Sequence, residues 1–219
     1  MTLTATPAPS PLAGRLNLFW SPRSPFVRRV MVAAHELGLA QDIHRIDTVV
    51  AMTGCHAGLM QVNPLNKIPT LVTEDGAALF DTMLICEYLD SVAAVPSLFP
   101  PERAARLQSM RWHALGHGLT DLLVLWRNER NRPPATQSGE VIRAWDSKAS
   151  ATLGQLQSEV AALQAAPLSI GQIAVACALG YLDFRFEQMR WRDSVPALGA
   201  WFDGFNQRPS MQATLPALA

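Results

Sequence analysis

The chain has 219 residues and a mass of 23.9 kDa, room for one large domain or two modest ones. Hydrophobic residues make up 49% of it, far from the composition of a disordered chain and enough to fill a core. Eighteen basic and eighteen acidic residues cancel, so no global field steers the protein toward nucleic acid or an anionic membrane.

Residues 1–14 carry Pro7, Pro9 and Pro11 among Ala, Thr, Ser and Leu, with no basic start and no continuous apolar run. That reads as a flexible tail and not as a signal peptide. No window approaches the roughly 20 apolar residues that a bilayer span needs, so the expectation is a soluble, cytoplasmic protein. Leu16 to Trp20 reads as a short apolar strand. Ser24-Pro25 then opens a helix with Val27, Val30, Met31, Ala34 and Leu37 on one face and Gly38 as its stop. Arg28-Arg29 is too short for a basic patch, and a solvated helix face is expected for it. Ile43 to Asp47 alternates as a second strand, and residues 48–62, with Met52, Cys55 and His56, form a loop or irregular helix.

Residues 63–82 carry the densest signal. Asn63-Pro64-Leu65-Asn66-Lys67-Ile68-Pro69 is an approach loop, and Pro69 cannot donate to a ladder, so it belongs at a strand's first residue or edge. A cis Ile68-Pro69 bond would leave the Ile68 backbone free to pair with an extended ligand. Thr70 to Thr73 and Ala77 to Phe80 flank a Glu-Asp-Gly turn, a strong hairpin signal. Asp81-Thr82 precedes Met83, Leu84, Ile85, Tyr88 and Leu89 at helical spacing, which puts both polar residues at a helix N-terminus. The unpaired N–H groups there suit a carboxylate, the Thr82 hydroxyl can add a hydrogen bond to it, and Asp81 can take an adjacent ammonium. Glutathione has such an end, since its γ-glutamyl group carries both charges on one carbon. Taken singly, Asp81 or Thr82 is an N-cap and Pro69 a turn residue.

Val95 to Pro101 reads as a linker, and helix follows throughout. Arg103 to Arg130 is long and amphipathic, Ser138 to Ala165 is a second long helix, and Pro196 to Gln207 a last one. Ser169 and Gln172 match a capping box ahead of a helix rich in small apolar residues, the expected core of an all-α unit. Cys55, Cys86 and Cys177 form no CxxC, so neither a disulfide framework nor a metal site is expected, and a reducing compartment fits better. His113 and His117 share a helix face without a Cys or acidic partner to make a metal site. Trp112 and Trp126 at helical positions read as core.

Together these features resemble the glutathione transferase superfamily. Asn63 to Leu71 is similar to its loop and cis-proline motif, Asp81-Thr82 to its acidic-hydroxyl pair, and Phe19 to Val30 to its first strand and catalytic turn. The spacing agrees from about Leu16 to Leu215, nearest to bacterial members of undefined class and to serine-type classes such as tau and phi. Asn66 stands where the family usually has glycine, and Asn tolerates a positive φ better than most residues. The implied fold class is α/β plus all-α. A flexible tail (1–14) precedes an N-terminal thioredoxin-like, glutathione-binding domain (15–93), a linker (94–101) and a C-terminal helical bundle domain on the substrate side (102–219). The resemblance also implies a homodimer.

Glutathione reacts as its thiolate, and a free thiol with a pKa of about 8.5 is only slightly ionised near neutrality. Lowering that value by about 2 needs ~2.7 kcal/mol of differential stabilisation. A helix N-terminus contributes ~0.3–2 kcal/mol and a hydrogen bond to a charged acceptor ~1.5–3 kcal/mol, so a serine hydroxyl at a helix start has the required magnitude. Ser24 matches the catalytic serine of the serine-type classes, and Ser21, earlier in the same turn, is its alternative. The alternative reading of Ser24 is that it only caps the helix. The resemblance assigns glutathione contacts to Ser24, Phe26, Lys67, Ile68, Pro69, Asp81 and Thr82, with His56 a weaker candidate beside Lys67. No cysteine lies between Leu16 and Gly38, which disfavours mixed-disulfide chemistry, and Tyr88 and Tyr181 sit within helices, which disfavours a tyrosine-type site. Trp112, His113, His117, Trp126, Arg127 and Arg130 lie along the helix that lines the electrophile pocket in the family. The function expected is thiol activation for attack on a small apolar electrophile. The alternatives are a glutathione-dependent isomerase, dehalogenase or peroxidase, or a non-catalytic glutathione- or ligand-binding module.

Overall fold

The computed structural model describes residues 16–216; the proline-bearing segment 1–14 lies outside them. Strand β1 (Leu16–Trp20) turns Leu16 and Leu18 fully inward. Helix α1 (Pro25–Glu36) returns the chain to β2 (Ile43–Asp47), which pairs parallel with β1 from Leu16↔Ile43 to Trp20↔Asp47. After the short α2 (Ala57–Met60), β3 (Thr70–Val72) lies antiparallel to β1, and β4 (Ala78–Leu79) antiparallel to β3, giving the strand order β2-β1-β3-β4. Helix α3 (Thr82–Val92) follows and packs on α1. This is a thioredoxin-like unit. Gly38, at φ 71°, ends the α1 segment where the left-handed region excludes most residues.

The remainder is helical: α4 (Arg103–Arg130), α5 (Gly139–Ser158), α6 (Val160–Ala165), α7 (Ile170–Arg185), α8 (Pro196–Asn206) and α9 (Pro209–Gln212). Every residue of α7 from Ile170 to Leu182 is buried, because α1, α4 and α8 all pack on it. Each fully buried Leu or Ile there contributes roughly 1.5–3 kcal/mol. The approach of α4 is close enough that a Cβ on Gly116 would sit 2.5 Å from the Ala174 backbone carbon.

Three expectations are corrected. The single helix expected over 138–165 breaks at Glu159, whose φ of −105° separates α5 from α6. Its carboxylate accepts from Trp112 Nε1 at 2.8 Å and Gln155 Nε2 at 2.5 Å and pairs with Arg111. Burial pushes the Glu159 carboxyl up, but these donors outweigh it and hold it at about 2. The Ser169–Gln172 capping box is replaced by a different device. Ser169 Oγ donates to Gln172 Oε1 at 3.0 Å and accepts no backbone N–H, while Gln172 Nε2 donates to the Leu163 and Ala166 carbonyls, both at 3.1 Å, at the end of α6. The orphan N–H of Gly171 is taken by Ser109 Oγ of α4 at 3.3 Å. Finally, Arg28 and Arg29 are buried, not solvated, at 7% and 0% exposure. Helix α1 is covered by α3, α7 and α9, so it has no solvent face at these positions.

Candidate functional site

The strand register decides where the polar residues meet. β1 and β4 run the same way and β3 against them, so the exit of β1, the entry of β3 and the exit of β4 share one edge of the sheet. Ser21 to Ser24, Ile68-Pro69 and Phe80 to Thr82 therefore come to the same edge, along with the N-termini of α1 and α3. Two helix N-termini facing one space make it favourable for negative charge.

Each sequence-predicted residue has a definite place there. Ser24 is the N-cap of α1, its Oγ accepting from Val27 N at 3.3 Å with Pro25 at the first helical position. Ser21 Oγ, half-buried, accepts among the described residues only from Arg23 N, at 3.5 Å. The Ile68-Pro69 bond is cis, and the Ile68 N–H and C=O take no backbone partner among the described residues. The loop before it is braced by Asn63, whose Nδ2 donates to Thr70 Oγ1 at 2.8 Å and Lys67 O at 3.2 Å, and by Asn66, which holds a positive φ of 52°. Lys67 is exposed. Asp81, also exposed, follows a cis Phe80-Asp81 bond and caps α3 by accepting from Met83 N at 3.0 Å. Thr82 is 1% exposed, and its hydroxyl has no hydrogen-bond partner among the described residues. His56 is occupied as the cap of α2, Nδ1 accepting from Leu59 N at 3.0 Å.

Behind this edge lies a cluster that joins the two halves of the chain. Arg29 NH1 donates to His117 Nδ1 at 3.0 Å and His113 Nε2 at 3.3 Å, and NH2 to Thr120 Oγ1 at 3.4 Å. A guanidinium only donates, so both imidazole nitrogens act as acceptors, and His117 Nε2 can then donate to Asp121, 3.3 Å away. Burial, then the charge of Arg29, then His117 push His113 down to about 3. Burial also pulls Arg29 below its usual value, against opposing pulls that include Asp121 and Asp81. The bond from His117 leads in holding Asp121 low, with a smaller contribution from Lys67. Phe26 lies between the cluster and the edge, its ring 5.5 Å from His117 and 5.9 Å from the Arg29 guanidinium carbon. The sequence reading missed Arg29. The signal was present, since Val27 to Ala34 is apolar apart from the two arginines, and such a run is buried on all sides.

A small cleft of about 10 Å³, room for about one water, opens beside Ser24 and is lined also by Arg23, Arg28, Tyr181 and Pro216. Tyr181, read as lying within a helix, does so in α7 and lines this cleft. Trp112 and Trp126 are core, as read. Among the described residues no group of His, Cys, Asp and Glu is arranged to hold a metal. Cys86 and Cys177 are buried, and burial pushes the Cys86 thiol up to about 12.

The chain matches known proteins over most of its length. The family model described as the glutathione S-transferase N-terminal domain matches residues 23–92, and the C-terminal domain model matches 139–204. A glutathione transferase family member from Pseudomonas fluorescens Pf-5, solved with bound glutathione, is 38% identical with a TM-score of 0.90, covering 93% of this chain and 100% of that one. Another structure from that strain, solved with bound S-(propanoic acid)-glutathione, is 36% identical with a TM-score of 0.85, covering 92% and 100%. The GST-like protein YibF of Escherichia coli (strain K12) is 30% identical over 207 residues, 93% of this chain and 100% of its own length. The chain belongs to the glutathione S-transferase family.

Proposed function

We propose that the protein is a glutathione transferase that ionises the thiol of glutathione for attack on a small electrophile with an apolar body. The observation that carries this reading is the convergence of Ser24, the free Ile68 backbone and Asp81-Thr82 on one sheet edge with two helix N-termini. Residues 15–93 supply the glutathione side, 94–101 link the halves, and 102–219 supply the electrophile side. Ile68, after the cis bond's partner loop, pairs with the cysteinyl backbone of the tripeptide. Thr82 Oγ and the α3 N-terminus hold the γ-glutamyl carboxylate, Asp81 its ammonium, and Lys67 the glycyl end, with Phe26 closing the floor. The relatives solved with glutathione and with S-(propanoic acid)-glutathione support the tripeptide as co-substrate.

Ser24 then acts on the sulfur. Its oxygen already accepts from Val27 N, which leaves the O–H proton available to donate to a thiolate. Capping and thiolate stabilisation are compatible in one hydroxyl, and the α1 N-terminus adds its positive end to the same sulfur. Ser21 is the alternative donor in the same turn. We place the chain in the cytoplasm, supported by its three free cysteines. No helix of the described residues is long and apolar enough to cross a membrane. A homodimer is supported by exposed Leu84 of α3 and Leu107 of α4, at 46% and 61%, on two helices bridged by the Arg106–Glu87 pair at 3.0 Å.

The test is the ultraviolet absorbance of bound glutathione thiolate against pH, for the native protein and Ser24→Ala. The expected result is a bound-thiol pKa well below the free value, returning toward it in the variant. Tight binding with an unchanged pKa in both would favour a binding module, and absence of binding would remove the glutathione reading.

A further inference from the structure

A second cavity, of about 60 Å³, lies between helix α1, strand β2 and the segment 213–215 that follows α9. Holding one water takes roughly 10–15 Å³ on this scale, so the space suits a molecule of about four or five heavy atoms. Its walls are of two kinds. Trp20, Val27, Met31 and Leu215 supply apolar surface, while Arg28, His35 and Arg45 bring nitrogen groups, and no acidic residue lines it. Of the residues assigned to glutathione and its thiol, only Ser21 takes part.

The two guanidiniums at this cavity lack counter-charges. Arg28 is 7% exposed and donates, among the described residues, only to the neutral oxygens Met211 O at 3.2 Å and Asn206 Oδ1 at 3.5 Å; its Nε is buried without a partner. Arg45 is exposed and lies over the Trp20 ring, 5.5 Å from its centroid, with no hydrogen-bond acceptor among the described residues. Neither has a carboxylate at ion-pair distance among those residues, whereas other arginines of the chain do. Glu36, next to His35, is already committed to Arg208 at 2.8 Å and to Ser210. Partial burial, then the charge of Arg45, holds the His35 imidazole below its ordinary 6.5, so near neutrality it is uncharged and the two arginines set the sign of the site. Spare guanidinium donors of this kind match a carboxylate, and a buried cation is costly to keep without an anion.

We infer that this cavity binds a small monocarboxylic acid at a site separate from that of glutathione. The carboxylate accepts from Arg28 and Arg45, and the short hydrocarbon body lies against Trp20, Val27 and Met31. Those apolar walls decide for a carboxylic acid over inorganic phosphate, which has no apolar part to bury. The Ser21-Pro22 turn and the segment 213–215 both line the cavity, so the bound acid bridges the turn before α1 to the end of the helical half.

The experiment is a calorimetric titration of the full chain with propionate, its neutral amide propionamide and inorganic phosphate, with and without saturating glutathione. The expected result is propionate binding about fivefold or more tighter than either of the others, the size of one charge-assisted hydrogen bond, with an affinity that glutathione leaves unchanged. Arg45→Gln should weaken propionate about threefold or more, and Arg45→Lys should recover part of that loss. Arg45 is exposed, so an unchanged Tm reports that both variants have folded. Equal binding of acid and amide, phosphate binding as well as propionate, no response to Arg45→Gln, displacement by glutathione, or no binding of propionate would each overturn the inference. The titrations without glutathione do not depend on the transferase reading, so a failure of glutathione to bind would remove that reading alone.

Discussion

At the scale of single residues, the site depends on a few hydroxyls with a free hydrogen-bonding position. Thr82 is enclosed, yet its oxygen has no partner among the described residues. That leaves the hydroxyl free to donate at the α3 N-terminus, and the γ-glutamyl carboxylate is what that N-terminus would attract. Thr82→Val keeps the shape and removes the donor. It should raise KM for glutathione about tenfold, equivalent to ~1.4 kcal/mol, with kcat little changed at saturation, as measured by initial rates over a glutathione series. Ser24 should behave differently. Ser24→Ala removes a cap worth ~0.5–2 kcal/mol and should lower Tm accordingly, while its kinetic effect falls on kcat through the thiol pKa. A loss of stability with an intact pH–rate profile would leave Ser24 a cap and nothing more.

At the scale of elements, the break at Glu159 and the Ser169–Gln172 device show local signals being redirected by neighbours. Ser at a cap with Gln three residues on satisfies the local rule. In the fold, however, the α6 carbonyls at Leu163 and Ala166 end beside Gln172, and its amide serves them instead. Gln172→Leu should therefore cost roughly 1–3 kcal/mol by leaving two carbonyls short of a buried donor, read as a drop in the urea midpoint. The Glu159 carboxylate works similarly. Arg111 and Trp112 of α4 reach it across the bundle, which ends α5 at a point where nothing in the local sequence says stop. How much of this was legible follows from range. Strands β1 and β2, the starts of α1 and α3 and the whole span of α4 came from periodicity and caps within a few residues. Glu159 and Gln172 answer to partners across the bundle or on the preceding helix.

At the scale of the molecule, the Arg29 cluster ties α1 to α4 and makes stability depend on acid. His113, held at about 3 by burial, Arg29 and His117, has an ordinary value of 6.5. Above that ordinary value both folded and unfolded forms are neutral and the full stability is present. As pH falls below it the unfolded chain takes up the proton first, so stability is lost progressively toward pH 3, by up to ~1.4 kcal/mol per pH unit. Denaturant midpoints between pH 7 and 4 should show this loss, and His113→Gln, which keeps an acceptor for Arg29, should flatten it. A second prediction concerns assembly. Light scattering should give twice the 23.9 kDa chain mass, and Leu107→Glu should give the monomer; a monomeric native protein would remove the dimer.

The sequence by itself determined the order of most elements, the thioredoxin-like and helical halves and the identity of the residues at the two helix N-termini. All of these rest on short-range rules of turn chemistry, capping and hydrophobic period, which neighbouring residues decide among themselves. Only the tertiary structure decided that Arg28 and Arg29 are buried, that Tyr181 shares a cleft with Ser24, and that Glu159 breaks a helix. Burial of a charge depends on what covers the helix from outside, and a cleft depends on which helix ends meet there. Such contacts join residues more than a hundred and fifty positions apart, as Arg28 and Met211 do, where no local pattern reaches.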